Sequence, residues 1–317
     1  MASLMSQVVG HDEQKFRLQS AINHGSLPHA MVFSGPAGIG KFKLALAIAQ
    51  NLVCAAPIEK QACGHCGSCL RVVKNQSESL RIVSAQSANI KIDQIRDILS
   101  YLSLARDGQK RVIIIDQANT LNAQASNSLL KTLEEPPPDV YFILTTTDVR
   151  LLMPTIRSRS QIIALKVLSQ IELEKIQPGL SPWMYKAARG QAGKLSEFSE
   201  GEALDRRNSD LGFYENFWSN KNFIQETQIK DFAKDRVTGS LILKNWFTFT
   251  RDMIVLSQGA RDQVLNSDKI TTLIKLEFIT VEKLHNFSSA LLQSIQDIDK
   301  VDITLLFESL WVKHARV

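Results

Sequence analysis

The sequence predicts an α/β domain followed by an all-α region. Three observations carry that expectation. Short apolar runs alternate with helical patterns through the first half, and one of those runs, Arg111–Asp116, is almost wholly β-branched. From about Glu202 to Val317 the pattern is helical throughout and contains no proline. Strands separated by helices imply right-handed crossovers and a parallel sheet covered on both faces. A strand buried on both sides reads as a continuous apolar run, as Arg111–Asp116 does.

Taken in order, the first strand falls on Ala30–Ser34 and the helix after it on Lys41–Val53. A second strand is expected at Leu80–Ala85, and apolar residues at three-to-four-residue spacing predict a helix over Ile92–Leu104. Arg111–Asp116 is the third strand, followed by a helix over Asn122–Leu133 that Pro136 and Pro137 bring to a stop. Tyr141–Thr146 and Gln161–Leu165 complete a five-stranded sheet, with a helix over Arg150–Ile156 between them. Beyond Leu165 the strands cease. Two short helical patterns lie between Leu168 and Ser199, with turn signals at Pro178-Gly179 and Gly190. Aromatic-rich faces around Phe213–Phe217, Trp246–Phe249 and Phe307–Trp311 then predict a helical bundle. The expected domains are therefore 1–166, 167–201 and 202–317.

At 317 residues the chain is too long for one compact core. Its 44% hydrophobic and 22% charged residues are ordinary for a globular protein. The balance of 37 Lys+Arg against 32 Asp+Glu gives +5, which permits contact with nucleic acid without arguing for it. Met1–Lys15 holds no apolar core of signal-peptide length and already contains Asp12 and Glu13. No window approaches 18 uninterrupted apolar residues. A cytoplasmic protein with no membrane span is expected.

Gly35-Pro-Ala-Gly-Ile-Gly-Lys41 fits the G-x-x-x-x-G-K phosphate-loop pattern and stands between a strand and a helix, where the chemistry needs it. Gly35, Gly38 and Gly40 would let the backbone wrap a phosphate, with positive potential from the helix N-terminus and Lys41 reaching the β- and γ-phosphates. The next residue should bring a hydroxyl to Mg²⁺, yet it is Phe42, which has no oxygen to offer a hard cation. Asp116 stands at a strand's carboxyl end, where a carboxylate would help hold Mg²⁺, although taken alone it could merely cap a turn. Hydrolytic proteins usually follow with a glutamate that polarises water; this chain continues Gln117-Ala118. A missing metal ligand and a missing base together predict that the chain does not hydrolyse ATP itself, although ATP binding stays open.

All four cysteines lie in one short stretch, spaced C-x8-C-x2-C-x2-C. Cys54, Cys63, Cys66 and Cys69 can close a tetrahedron around Zn²⁺, and a set of four thiolates leaves no open position for water. A structural zinc is expected, with His65 a solvent-exposed neighbour.

Together these residues resemble bacterial clamp-loader subunits of DNA polymerase III, of the AAA+ class. The likeness runs over Val9-Gly10-His11-Asp12-Glu13, Pro28-His29-Ala30, the phosphate loop, the four-cysteine insertion, Leu129–Pro137 and Thr155-Ile-Arg-Ser-Arg-Ser160. The zinc insertion followed by Leu-Leu-Lys-Thr-Leu-Glu-Glu-Pro-Pro is its most specific part. Within the family the altered phosphate loop and Gln117 resemble the delta-prime branch more than the gamma/tau motor branch.

The resemblance implies an AAA+ domain with a zinc insertion, a small helical lid and a C-terminal helical collar that joins subunits. It implies a hetero-pentamer with gamma/tau and delta subunits, which opens the sliding clamp and places it on primed DNA. It assigns Arg159, in Ser158-Arg159-Ser160, the part of an arginine finger reaching a neighbour's ATP site; relatives carry cysteine where Ser160 stands. It places sensor 1 in Thr145–Thr147, with Thr146 the expected contact, and sensor 2 at Lys194. Ser77-Glu-Ser79 departs from the His-Pro-Asp common in relatives.

The preferred reading is a stator that completes a neighbour's active site. A gamma/tau-like ATPase is the runner-up, and a zinc-dependent nucleic-acid module is a third. The second wants a hydroxyl at residue 42 and an acid at 117; the third wants clustered Lys/Arg with interleaved aromatics. None of these is in the sequence.

Overall fold

A computed structural model describes residues 3–85, 89–103, 108, 110–199, 201–219, 223, 229 and 232–315. Two compact units divide the chain. The first comprises Met1–Pro178 with Arg189–Lys194, and the second Gly179–Ala188 with Leu195–Val317.

The first unit is built on β1 (Ala30–Ser34), β2 (Leu80–Val83), β3 (Arg111–Ile115), β4 (Val140–Thr146) and β5 (Gln161–Ala164). All pairings are parallel and the order is β2-β3-β4-β1-β5, so the expected five-stranded parallel sheet is present. Alternate residues of each strand face opposite ways. Met31 and Phe33 of β1, Val112 and Ile114 of β3 and Ile143 of β4 pack with α1 (Leu4–Gln7) and α3 (Lys41–Val53). Ala30, Val32, Ile113, Ile115, Phe142 and Leu144 form the core on the other face, with α5 (Ile92–Ser103) and α6 (Ala123–Glu134). The register sets Ser34 beside Thr146 and Ile115 beside Leu144, which brings the carboxyl ends of β1, β3 and β4 to one edge.

Three departures from the expected elements have physical causes. The helix expected over Arg150–Ile156 is split into a 3-10 turn, Val149–Leu151, and α7 (Pro154–Arg157). Pro154 occupies the first turn of α7, and its ring forces Met153 out of helical geometry. Helix α2 (Asp12–Asn23) was not read from the sequence because only Leu18 of it is buried, leaving no apolar stripe. The four-cysteine stretch contains α4 (Gly67–Val73), too short for periodicity to register. Leu104, the expected end of α5, lies outside the described residues.

Past β5 come α8 (Gln170–Ile176), α9 (Pro182–Ala188) and α10 (Gly193–Ser199), three helices where two patterns were read. The second unit continues with α11 (Gly201–Ser219), α12 (Arg236–Ser257), α13 (Ile270–Ile274), α14 (Val281–Asp297) and α15 (Ile303–His314). Its centre is Trp246 of α12, fully buried against Phe213, Tyr214, Phe217, Phe287 and Phe307. The indole N–H donates to the carbonyl of Asp210 at 3.1 Å, so the buried ring leaves no polar debt. A second anchor is Arg207, stacked 3.7 Å over the Trp183 ring and paired with Asp268 at 2.7 Å.

No helix among the described residues is long and apolar enough to cross a membrane.

Candidate functional site

Strand β1 delivers the chain into the phosphate loop. Gly38 (φ +71°) and Gly40 (φ +94°) adopt left-handed backbone that side chains rarely tolerate. Space adds a second demand at Gly38, where a Cβ would stand 3.2 Å from the backbone nitrogen of Gly193. That closeness is a contact: Gly193 N–H donates to the Gly38 carbonyl at 3.0 Å. Lys194 follows directly in α10, so the expected sensor-2 residue stands next to the phosphate loop. On the other side of the loop, His11 Nε2 donates to the Ile39 carbonyl at 2.9 Å, a contact the sequence did not disclose.

Lys41 points into its own loop and donates to the carbonyls of Gly35 (2.7 Å) and Pro36 (2.6 Å). Burial lowers its pKa and the charge of Asp116 opposes that shift, so the lysine and the strand-end acid share one locality. Phe42 packs partly buried against the core on the α3 face of the sheet.

Asp116 accepts a 2.6 Å hydrogen bond from Thr145 Oγ1, and Thr145 Oγ1 accepts in turn from the N–H of Gln117 at 2.9 Å. Thr145, not Thr146, therefore touches the acid. Thr146 lies alongside: its carbonyl accepts from the Gly35 N–H at 3.2 Å, and its hydroxyl donates to the Asp148 carbonyl at 2.9 Å. Neighbouring residues on a strand face opposite ways, so only one of the two can reach Asp116. Gln117 itself sits in left-handed backbone at φ +53°.

The four cysteine sulfurs lie within 4.8 Å of one another. Cys54–Cys63, Cys54–Cys66 and Cys63–Cys69 are separated by 3.7, 3.9 and 3.9 Å. A tetrahedron of thiolates around zinc, with bonds of about 2.3 Å, has edges of about 3.8 Å, so the set can hold a metal. Backbone N–H groups of Cys63, Cys66 and Cys69 point at Cys54, Cys63 and Cys66 sulfurs from 3.4, 3.3 and 3.5 Å. Burial pushes the Cys69 thiol up. At Cys66 burial pushes the same way but is outweighed by hydrogen bonds from the N–H groups of Cys69 and Ala55 and from neighbouring thiols, which bring it to about 6. His65 is exposed and turns Nδ1 to the Cys63 carbonyl at 2.9 Å, outside the sulfur set. Fully buried Gln50 of α3 joins the module to the chain's start, accepting from Leu4 N–H at 2.8 Å and donating to the Cys69 carbonyl at 3.3 Å.

Arg159 follows α7. Its Nε donates to Glu134 Oε1 at 2.7 Å, Nη2 closes an ion pair on the same oxygen, and Nη1 donates to the Thr155 carbonyl at 3.1 Å. His29, Leu133, Glu134, Ser158, Arg159 and Ser160 line an open depression of about 600 Å³. Three stretches set apart in the sequence, around His29, Glu134 and Arg159, thus meet at one corner of the first unit.

A profile of the family described as "DNA polymerase III, delta subunit" matches residues 10–169, just over half of the 317 residues. The chain belongs to this family. It is 29% identical over 262 residues to the DNA polymerase III subunit delta' of Bacillus subtilis, covering 79% of each chain. It is 36% identical over 134 residues to the delta' subunit of Pseudomonas aeruginosa, 41% of each. It is 36% identical over 164 residues to the subunit tau of Escherichia coli, which is 51% of this chain and 25% of that protein. The chain thus matches about a quarter of the length of the tau relatives.

Proposed function

We propose that the chain is a delta-prime-type stator of a bacterial clamp loader. It acts in the cytoplasm within a hetero-pentamer of gamma/tau and delta subunits, helps load the sliding clamp onto primed DNA, and lends Arg159 to a neighbour's ATP site. One observation carries this reading: the cation of its own phosphate loop is turned inward, whereas Arg159 faces an open depression. Phe42 and Gln117 support it, because Phe42 has no oxygen for Mg²⁺ and the Gln117 amide, unlike a glutamate, cannot take a proton from water. The match to delta' over four fifths of both chains supports it as well. Gly35, Gly38, Gly40, Lys41, Asp116, Thr146 and Lys194 then form a nucleotide site that binds weakly or not at all. The proposed division is a catalytic-type domain over 1–166, a lid over 167–201 and a subunit-joining collar over 202–317. We assign Zn²⁺ to the four cysteines, in a structural part.

Steady-state phosphate release by the isolated chain tests the reading. The expected rate is background, and turnover of about 1 s⁻¹ or more would sink the stator. The match to tau, 36% identical over 164 residues, favours a second reading, a gamma/tau-like motor. Calorimetric titration with ATP separates the two, since tight Mg²⁺-dependent binding belongs to the motor alone.

A further inference from the structure

Glu134 is the last residue of α6, where the free carbonyls of the helix present partial negative charge. A carboxylate is unfavourable there, and another acid, Glu135, follows it. Glu134 nevertheless stands firmly: Leu133 beside it is buried, and His29 Nε2 donates to the Leu133 carbonyl at 3.0 Å. Its Oε1 takes both Nε and Nη2 of Arg159. Nη1 is meanwhile held by Thr155 O and Ser158 Oγ at 3.1 and 3.2 Å. The guanidinium is thereby fixed in plane and orientation across the depression. Ser160 Oγ, at the same rim, is buried without a hydrogen-bond partner.

We propose that Glu134 is the resting counter-anion of Arg159, a positioning residue that the terminal phosphate of a neighbouring subunit's nucleotide displaces. This inference rests on the arginine-finger reading above. A carboxylate and a phosphate oxygen are alternative acceptors for the same two N–H groups, so they compete. Holding the cation on Glu134 keeps it oriented while no phosphate is present, and makes phosphate pay the difference between the two anions. The pair is about half exposed, with side chains 33% (Arg159) and 47% (Glu134) accessible, so the competition is weak enough for a triphosphate to win.

The test uses Glu134→Gln in the reconstituted loader. Glutamine keeps an oxygen that accepts from Nε but removes the competing charge. The ATP concentration giving half-maximal hydrolysis should fall about threefold, as expected for an exposed ion pair, with kcat changed less than about twofold. Glu134→Asp, which restores the charge, should move the value back. Arg159→Ala should abolish the effect of Glu134→Gln in the double variant. A second readout needs no neighbour: in the isolated chain, ¹⁵N-arginine spectra should show Arg159 Nε–Hε protected from solvent exchange. Inorganic triphosphate should perturb that resonance at about threefold lower concentration in Glu134→Gln. Unchanged values in both experiments, or a kcat loss matching that of Arg159→Ala, overturn the inference. If Arg159→Ala leaves the loader's hydrolysis intact, the finger reading fails instead, and the spectra of the isolated chain still decide whether Glu134 is displaced by phosphate.

Discussion

At the phosphate loop, Lys41 is 8% exposed and spends its ammonium on two carbonyls of its own loop. At the Arg159 corner of the same unit, the side chain is 33% exposed and its cation is held by a carboxylate beside open space. Lys41 opens a helix, whereas Arg159 follows one. The first is bonded to backbone carbonyls of its own loop, while the second is paired with a half-exposed side-chain carboxylate. A cation bonded to backbone carbonyls shapes its loop; one paired with a half-exposed acid beside open space can exchange it for a visiting anion. On the proposed reading, that difference is the one between a loop that no longer turns over nucleotide and an arginine that serves a neighbour's site.

The comparison can be broken most decisively at Arg159. Arg159→Ala is expected to slow ATP hydrolysis at the site it serves by about 10³-fold, the lower range for an arginine finger, with the fold intact. Phosphate release by the reconstituted complex, with circular dichroism of the variant, checks both halves of that statement. Next in size is the metal module. Cys69→Ser should release the metal and lower the stability of the first unit by about 4 kcal/mol, measured by metal content and chemical unfolding.

Protons should weaken the module in the same direction. The metal binds thiolates, so protons compete with it for Cys54, Cys63, Cys66 and Cys69. Metal retention in the presence of a competing chelator should therefore fall as the pH is lowered, and retention that does not change with pH down to full protonation of free thiols would count against the assignment. Smaller again is Gly38→Ala, which places a Cβ in left-handed backbone and against Gly193 N. About 1–2 kcal/mol of stability should be lost, read from unfolding midpoints. The smallest effect is expected at the loop's own cation: Lys41→Ala should leave the loader's hydrolysis within about twofold of normal. A large loss there would restore the phosphate loop to a working part.

Much of the fold was legible because burial on both faces writes unbroken apolar runs. Ala30–Ser34 and Lys41–Val53 carry the expected ends to the residue, and Arg111–Ile115 differs only in leaving Asp116 outside the strand. Helix α2 was not legible, since its residues are polar around most of its circumference. The cysteine spacing announced a tetrahedral set because ligand geometry is a local property of the chain. Which threonine bonds Asp116 turns on which face of β4 a side chain takes, and that is set by pairing with β1 and β3. The Glu134–Arg159 contact spans 25 residues and two chain reversals, so no local pattern can report it. His11 on Ile39 is the same kind of contact, 28 residues apart.

The placement of the aromatic residues has one further use. All four tryptophans of the chain, Trp183, Trp218, Trp246 and Trp311, fall in the second unit. Each is buried, and three of them join one ring cluster. Intrinsic indole emission is therefore a private signal of the helical unit, blind to the sheet and to the cysteine module. Stripping the metal should alter far-ultraviolet ellipticity while the emission maximum stays where it was, so the two halves of the molecule can be followed separately in one cuvette without a label.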